Sequence, residues 1–457
     1  MVRYRVCLAV SLVCLSLAAC GNSSSKAGLA KDASPANADT TVREDGPHAP
    51  LDTAPDARAA DTARPADASV VKTDGSQADA APANTDASSA RDVTPIVLDT
   101  AIAPDAMVAV DTRPADMARD TQAARDTADP TKPIAFSAWP GGNAVTNVAV
   151  KNAFGPNLSG LIYQPAMGTA SAILWAVQND PSKVFRLTWN GTAFVPVTTE
   201  GWGNGKALTF PNGSGSPDSE ALTRTEWDKS ELYVATERNN DAMSTSRLSI
   251  LRYELTGTTT TLKATHEWNL TSDLPEATDA NKGLEAIAWI PDSYLVARGF
   301  YDESSEAPYD PSAHADHGTG IFLVGVEDTG MIYGFVLNHN TGAFKRVATF
   351  SSGQEGVMDL AFDRDSETLW SLCDSACKNR MTLLDIDSAE GSATKGRFIL
   401  RATVPPPSTL SSANNEGITM APESECANNR KGFFWSDDDE SNGYAIRRDA
   451  IPCGRLF

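Results

Sequence analysis

The sequence predicts an all-β fold, a β-propeller, over residues 134–457, and three observations indicate it. Five segments repeat one pattern, in which a polar or acidic residue opens a short strand and further β-branched or aromatic strands follow. Turn residues separate the strands, and helical periodicity is weak throughout. Self-similarity of this kind, with about four strands in each unit, is typical of a propeller.

Each unit opens with a motif that we assign to the innermost strand of a blade. The motifs are LSGLIY at 158–163, SEAL at 219–222, LEAIAW at 284–289, MDLAF at 358–362 and NEGI at 415–418. The predicted second strands lie at 172–180, 231–238, 293–300, 368–374 and 432–440.

The fifth unit has no fourth predicted strand before the chain ends. The segment NAVTNVAVKN at 143–152 precedes the first unit and supplies that strand. We therefore predict five blades, closed by an N-terminal strand. Six blades would require a degenerate unit within 200–218 or 301–330.

Residues 1–20 have the organisation of an export signal. Arg3 and Arg5 precede an apolar stretch at 6–17 that is too short for a permanent transmembrane helix. The following Leu-Ala-Ala-Cys resembles the bacterial lipobox, which predicts a lipid anchor on Cys20 and a place in the cell envelope. An ordinary secretory peptide with a chance cysteine is the alternative. Gly21 favours the outer membrane, by analogy with the enterobacterial sorting rule.

Residues 21–133 predict a disordered tether. The stretch contains no Phe, Trp or Tyr and is dominated by Ala, Asp, Thr, Ser and Pro. Such a composition cannot bury enough apolar surface to offset the entropy of ordering. A binding tail or a glycosylated stalk is the alternative.

The charge of residues 134–457 restricts the class of partner. This part carries 40 acidic and 25 basic side chains, a net charge of −15. An acidic domain repels nucleic acid and anionic lipid headgroups, so we expect no nucleic acid partner. Cations and neutral ligands are favoured instead.

Four cysteines follow the export signal and the tether: Cys373, Cys377, Cys426 and Cys453. An even number in an oxidising compartment predicts disulfides. We favour pairs 373–377 and 426–453. A metal site built on the Cys-x₃-Cys pair lacks a second ligand pair at zinc spacing.

Alignment of the five units predicts a cation site in the central channel. One column contains Ser159, Glu220, Glu285, Asp359 and Glu416. Carboxylates brought so close either raise one another's pKa or hold a cation, and hard oxygen ligands suit Ca²⁺ or Mg²⁺. In the structural alternative, these side chains hydrogen-bond the backbone of the neighbouring blade.

Two further groups of residues predict a ligand site. Arg238 and Arg298 lie near the ends of predicted second strands, where they would be beside the carboxylates and bind a phosphate or carboxylate. A simple Glu–Arg salt bridge is the alternative. His314 and His317, in the polar insertion at 301–320, could bind a metal or act as a general base. A solvated acidic loop is the alternative there.

Several of these motifs resemble known families. The segments NLSGL at 157–161, NKGLEAI at 281–287 and NNEGI at 414–418 resemble repeated motifs of the SdiA-regulated family and of the related "esterase-like activity of phytase" family. The segment FWSDD at 434–438 is similar to the closing blade of the latter. The resemblance implies a β-propeller that is often exported and sometimes binds calcium. The chain departs from both families at three places. It has the 301–320 insertion, it has Ala221 and Ala286 where glycine is usual, and it has Met358-Asp359 in place of a Glu-Gly pair.

Two functions are compatible with these features. The first is a surface-tethered propeller that binds calcium and captures a small anionic ligand, a glycan or a protein partner. The second is a metal-dependent hydrolase of phosphate or carboxylate esters, in which the ion would activate water. The sequence has no G-x-S-x-G elbow, H-E-x-x-H motif, P-loop or dinucleotide fingerprint, which favours the first.

Overall fold

The computed structural model describes residues 132–275 and 279–457. The signal and lipid-anchor predictions at 1–20 lie outside the described residues, as does all but the end of the predicted tether at 21–133. Within the described part of the chain, no helix has the length and apolar character needed to cross a bilayer.

Five sheets form a ring, which confirms the prediction of a five-bladed β-propeller. The innermost strand of each blade contacts the innermost strands of the two neighbouring blades. The described residues form no sixth blade.

Two short strands precede the first blade, and the other strands follow in chain order. The N-terminal strands are β1 (Ile134–Ala135) and β2 (Thr146–Asn147). Blade 1 contains β3 (Leu158–Gln164), β4 (Ile173–Gln178), β5 (Lys183–Trp189), β6 (Phe194–Pro196) and β7 (Lys206–Thr209). Blade 2 contains β8 (Pro217–Thr223), β9 (Glu231–Asn239), β10 (Ser246–Glu254) and β12 (His266–Asn269), while β11 (Thr261–Lys263) pairs with β7 of blade 1.

The remaining blades have the same inside-to-outside order. Blade 3 contains β13 (Leu284–Pro291), β16 (Gly320–Val326), β17 (Met331–Leu337) and β18 (Phe344–Ser351). Its insertion contains α1 (Asp292–Ala297), β14 (Tyr301–Asp302) and β15 (Ala307–Pro308). Blade 4 contains β19 (Asp359–Asp363), β20 (Thr368–Leu372), β21 (Met381–Ile386) and β22 (Phe398–Val404). Blade 5 contains β23 (Asn415–Met420), β24 (Arg430–Asp437) and β25 (Ile446–Pro452).

The N-terminal segment closes the ring as predicted. Strand β2 pairs antiparallel with β25 and completes blade 5, while β1 pairs in parallel with β22 at the outer edge of blade 4. Between the two strands, Trp139 is buried against Phe433 and Trp435, and its indole N–H donates to Asp449 at 2.8 Å. The closure is therefore a packed contact as well as a hydrogen-bonded one.

The core consists of five apolar clusters, one at each interface between neighbouring blades. Every residue of β4 (ILWAVQ) is buried, because the sheet is covered on both faces. This is the reason that several strands have continuous apolar sequences rather than strict alternation.

The prediction of a strand at 293–300 is wrong, because α1 occupies most of this segment. Tyr294 and Leu295 are buried while Val296 is 52% exposed, which is the one-sided burial of a surface helix. Asp292 lies in the first turn, and Gly299 follows the end with a φ of 63°. An acid at the start and a glycine past the end are helix signals. The second strand of blade 3 is β16 instead.

Both predicted disulfides are present. Cys373 bonds to Cys377 just after β20, and Cys426 bonds to Cys453. The second bond links the loop between β23 and β24 to the segment after β25. It therefore fastens the blade at which the ring closes.

Candidate metal centre

Four of the five inner strands open with a β-bulge. The pairing register shifts around Glu220 in β8, Glu285 in β13 and Glu416 in β23. A similar shift in β3 falls at Ser159 and Gly160. Bulges re-aim side chains and are common beside functional sites. The bulge thus gives the three glutamates an orientation that regular pleating would not.

These glutamates converge from three different blades. Both Glu220 and Glu416 lie near enough to Glu285 to raise the pKa of its carboxyl. Glu416 likewise raises the pKa of Glu220. Since the inner strands surround the axis of the ring, the side chains meet at the end of the channel where these strands begin.

Further acids surround them, and we call the whole group the acidic mouth. Its members are Asp218, Glu220, Glu237, Glu285, Glu327, Asp374, Glu416 and Asp438. One carboxylate oxygen from each of Asp218, Glu220 and Glu237 lies within 4.8 Å of the other two, and all three residues are buried. Oxygen atoms so placed could ligate a single metal ion.

Three hydrogen-bonded carboxyl pairs occur within the acidic mouth. They are Asp218 with Glu220, Glu237 with Glu285, and Glu416 with Asp438. Two ionised carboxylates repel each other at hydrogen-bonding distance. Each pair therefore requires a shared proton or a cation.

Burial is the main cause of the raised pKa values in the acidic mouth. It raises the pKa of Glu220, Glu285 and Glu416 well above the ordinary range, and neighbouring carboxylates raise them further. Burial also raises the pKa of Glu237 to about 7 and that of Asp438 to about 6. The folded chain thus retains protons here at pH values where free carboxyls have lost them.

Few cationic or hydrogen-bond donor groups are available to compensate negative charge in the acidic mouth. Arg238 Nε lies 2.5 Å from Asp218 Oδ2 and 3.8 Å from Glu237 Oε1. Asn179 donates to Glu220 at 3.2 Å, and the Gly283 N–H donates to Glu237 at 2.8 Å. Arg238 therefore lies beside the carboxylates as expected, in the salt-bridge arrangement that was the alternative to anion binding.

Two members of the aligned column take the structural role instead. The Ser159 hydroxyl donates to the Glu220 carbonyl at 2.5 Å. The Asp359 carboxylate accepts from the Ile418 N–H at 2.7 Å and from the Leu360 N–H at 2.8 Å. Both side chains thus hydrogen-bond the backbone of the neighbouring blade. Strand β19 has no register shift, so Asp359 lacks the bulge that re-aims the glutamates.

The other predicted ligand residues lie away from the acidic mouth. Arg298 ends α1, beyond the far end of β13, and pairs with Glu367 at 2.6 Å. The prediction that Arg298 lies beside the carboxylates is wrong, because the segment before it is a helix and not the second strand of the blade. The insertion that contains His314 and His317 also follows the far end of β13.

Both histidines fasten this insertion through carboxylates. His314 Nε2 lies 3.0 Å from Asp302, and His317 Nε2 lies 3.0 Å from Asp292. The second ring nitrogen of His317 donates to the His314 carbonyl at 2.5 Å. His317 thus has both ring nitrogens engaged within the protein. The insertion is an internally bonded loop rather than a loosely solvated one.

Five acids of the mouth lie outside the aligned column: Asp218, Glu237, Glu327, Asp374 and Asp438. Glu327 directly follows β16, the second strand of blade 3, which was predicted at 293–300 instead. The apolar run GIFLVGV before it, followed by Glu-Asp, is the signal that would have found it. Asp218 lies two residues before Glu220 on β8, inside the bulged stretch, where strand alternation gives no reliable direction.

The fold and the site together define a class: a five-bladed β-propeller with a carboxylate-rich end to its channel. No known protein family matches the sequence, and no curated protein does. Two solved structures give distant likenesses. A chain of a nidogen/laminin complex is 10% identical at a TM-score of 0.30, with 62% of this chain and 72% of that chain covered. A chain of a mitotic checkpoint complex is 11% identical at a TM-score of 0.30, with 72% and 97% covered.

Proposed function

We propose that this protein is a lipid-anchored propeller of the cell envelope that binds Ca²⁺ at the acidic mouth and captures a ligand or partner there. One observation supports the cation site. Eight acids meet at the acidic mouth, and among the described residues Arg238 is the single cation that forms an ion pair with any of them. Burying charges without compensation is unfavourable, so a divalent ion would stabilise the ionised form.

The ligand chemistry favours Ca²⁺ over a transition metal. The mouth offers carboxylate oxygens, and no described histidine or free thiol lies in it, since Cys373 and Cys377 are bonded to each other. Calcium accepts six to eight oxygen ligands in flexible geometry, whereas magnesium demands near-ideal octahedral geometry. Acids contributed by several blades fit the more tolerant ion better.

A bound ion would also explain how a negatively charged propeller holds an anionic group. Ca²⁺ with an incomplete ligand set accepts a carboxylate or phosphate oxygen from outside. The partner would then be a small anion, an acidic glycan or an acidic protein segment. Envelope display rests on the lipobox-like sequence at Cys20 and the polar stretch after it. The similarity of motifs to the SdiA-regulated and phytase-like families supports the same proposal.

Calorimetric titration of Ca²⁺ into the chelator-treated full-length chain tests the site. We expect stoichiometric binding, and a stabilisation of about 2.7 kcal/mol at a hundredfold excess over Kd. Replacing Glu220, Glu285 and Glu416 together by Gln should abolish both effects. The matched control replaces three exposed glutamates, Glu200, Glu306 and Glu390, by Gln with the same change in charge. Unchanged affinity in the folded triple variant of the mouth would refute the site.

Ester hydrolysis is the second candidate, and one observation favours it. Burial gives Glu237 a pKa of about 7, so this carboxylate could act as a general base at neutral pH. A metal-bound water beside it would be the nucleophile. Assays with 4-nitrophenyl acetate and 4-nitrophenyl phosphate would detect the activity. Calcium-dependent turnover that Glu237→Gln removes would support the hydrolase over the binding protein.

The anchor is tested separately. Metabolic labelling with a clickable fatty acid should label the wild-type chain in the envelope fraction. Cys20→Ala should remove the label and release the protein. Equal labelling of both forms would refute the anchor while leaving the calcium site untouched.

A further inference from the structure

The opposite end of the channel contains a small cavity of about 120 Å³. All five blades contribute to its lining, and most of the wall is apolar. Each blade contributes one buried apolar residue from its inner strand, namely Leu161, Leu222, Ala288, Leu360 and Met420, and Tyr163, Trp289 and Ala421 are buried in the wall as well. Its size is close to the roughly 150 Å³ of an apolar cavity that holds benzene. A single six-membered ring therefore matches the space.

One positive charge faces this cavity. Arg364 lies in the turn between β19 and β20, and its guanidinium carbon is 4.0 Å from the ring centre of Trp227 and 4.8 Å from that of Trp289. One of its N–H groups donates to the Arg224 carbonyl at 2.6 Å. Contact with the two indoles covers the faces of the guanidinium, so its N–H edge is the part that remains to bind a ligand.

Arg364 forms no ion pair within the described residues, although the carboxylates of Glu226 and Asp365 lie near enough to act on its charge. The carboxylates of Asp363 and Asp365 also line the cavity. Asp363 pairs with Lys431 at 2.7 Å, and Asp365 accepts from the Glu423 N–H at 2.7 Å. Burial and the nearby Arg224 lower the pKa of Arg364 to about 10. Arg364 thus lies in the wall of an apolar space with no described carboxylate in direct contact with its guanidinium.

We propose that this end of the channel, the arginine mouth, binds a small carboxylate that carries a compact ring. The ring would fill the apolar cavity, and the carboxylate would accept two N–H bonds from the edge of Arg364. Planar pairing of this kind is what arginine provides and lysine does not. A purely apolar ligand would leave the arginine unpaired, and a bare phosphate would leave the cavity unfilled.

Calorimetric titration of the full-length chain tests the proposal, with chelator present so that the acidic mouth plays no part. The probes are benzoate, its neutral counterpart benzamide, and inorganic phosphate. We expect benzoate to bind once per chain and at least about tenfold more tightly than benzamide, because hydrogen bonds between charged groups are the stronger ones. Equal binding of the two, tighter binding of phosphate, or no binding of benzoate would overturn the proposal.

Two variants locate the binding site. Arg364→Gln should weaken benzoate binding by at least about tenfold. Arg298→Gln is the matched control, because Arg298 lies beyond the same ends of the inner strands but is paired with Glu367. Loss of binding in both variants, or in neither, would overturn the assignment to Arg364. If Arg364→Gln fails to fold, the comparison of benzoate with benzamide on the wild-type chain still tests the proposal.

Discussion

The carboxyl pairs predict that the metal-free protein loses stability as the pH rises above 5. Glu237 has a folded-state pKa of about 7 against an ordinary value of 4.5. Because the folded pKa is raised, the folded state holds the proton more tightly than the unfolded state. The contribution is complete below the ordinary pKa and is lost as the pH rises through about 7.

The magnitude follows from the size of the shift. A change of one pKa unit corresponds to 1.36 kcal/mol, so the shift of Glu237 corresponds to roughly 3 kcal/mol between about pH 4.5 and pH 8. Glu237 shares a hydrogen bond with Glu285, so the same loss belongs to the pair and is not counted twice. Saturating Ca²⁺ should remove the loss, since the ion replaces the proton.

Urea unfolding at pH 5, 6, 7 and 8, with chelator present, measures this effect. Other groups also contribute to the pH dependence, among them His339: burial lowers its folded-state pKa to about 4 from the ordinary 6.5, so unfolding near pH 5 to 6 takes up a proton there. The comparison with Glu237→Gln cancels them, because the variant cannot ionise at this position. We expect the wild-type chain to lose roughly 2.5 kcal/mol relative to the variant between pH 5 and 8, slightly less than over the full window from pH 4.5. Parallel curves for the two proteins would refute the reasoning.

Three further predictions concern the acidic mouth, the disulfide and the closure. Arg238→Gln removes the competing charge and should tighten Ca²⁺ binding roughly tenfold in calorimetry; weaker binding would show that the arginine organises the site. Replacing Cys426 and Cys453 by Ser opens a loop with a sequence separation of 27. It should lower the free energy of unfolding by about 3 kcal/mol, and an unchanged urea midpoint would contradict this. Trp139→Ala should cost about 3–5 kcal/mol, whereas Trp189→Ala, at a site 43% exposed, should cost much less; equal losses would contradict a packed closure.

The sequence was sufficient for the architecture because the repeat signal is spread over many residues. Five opening motifs fixed the number of blades, and the missing last strand pointed to the segment that contains Thr146 and Asn147. The prediction of a strand at 293–300 was wrong for a local reason. Its apolar residues fit a strand and a short helix equally well, and tertiary packing of Tyr294 and Leu295 decided for the helix.

The site was only partly predictable because alignment gives position and not orientation. Glu220, Glu285 and Glu416 share a column and a bulge, so they meet. Asp359 shares the column without the bulge and hydrogen-bonds the backbone instead. A bulge adds one residue to one strand, and a single sequence does not reveal which strands contain one. Arg364 could not be found either, since its partners Trp227 and Trp289 are far from it in the chain.

Long-wavelength anomalous diffraction from crystals of the full-length chain grown with Ca²⁺ tests the central claim most directly. The account predicts an anomalous peak at the acidic mouth, with oxygen atoms of Glu220, Glu285 and Glu416 or their paired acids at 2.3–2.6 Å. Peaks only at exposed acids elsewhere would contradict it, as would an acidic mouth without a peak at millimolar Ca²⁺.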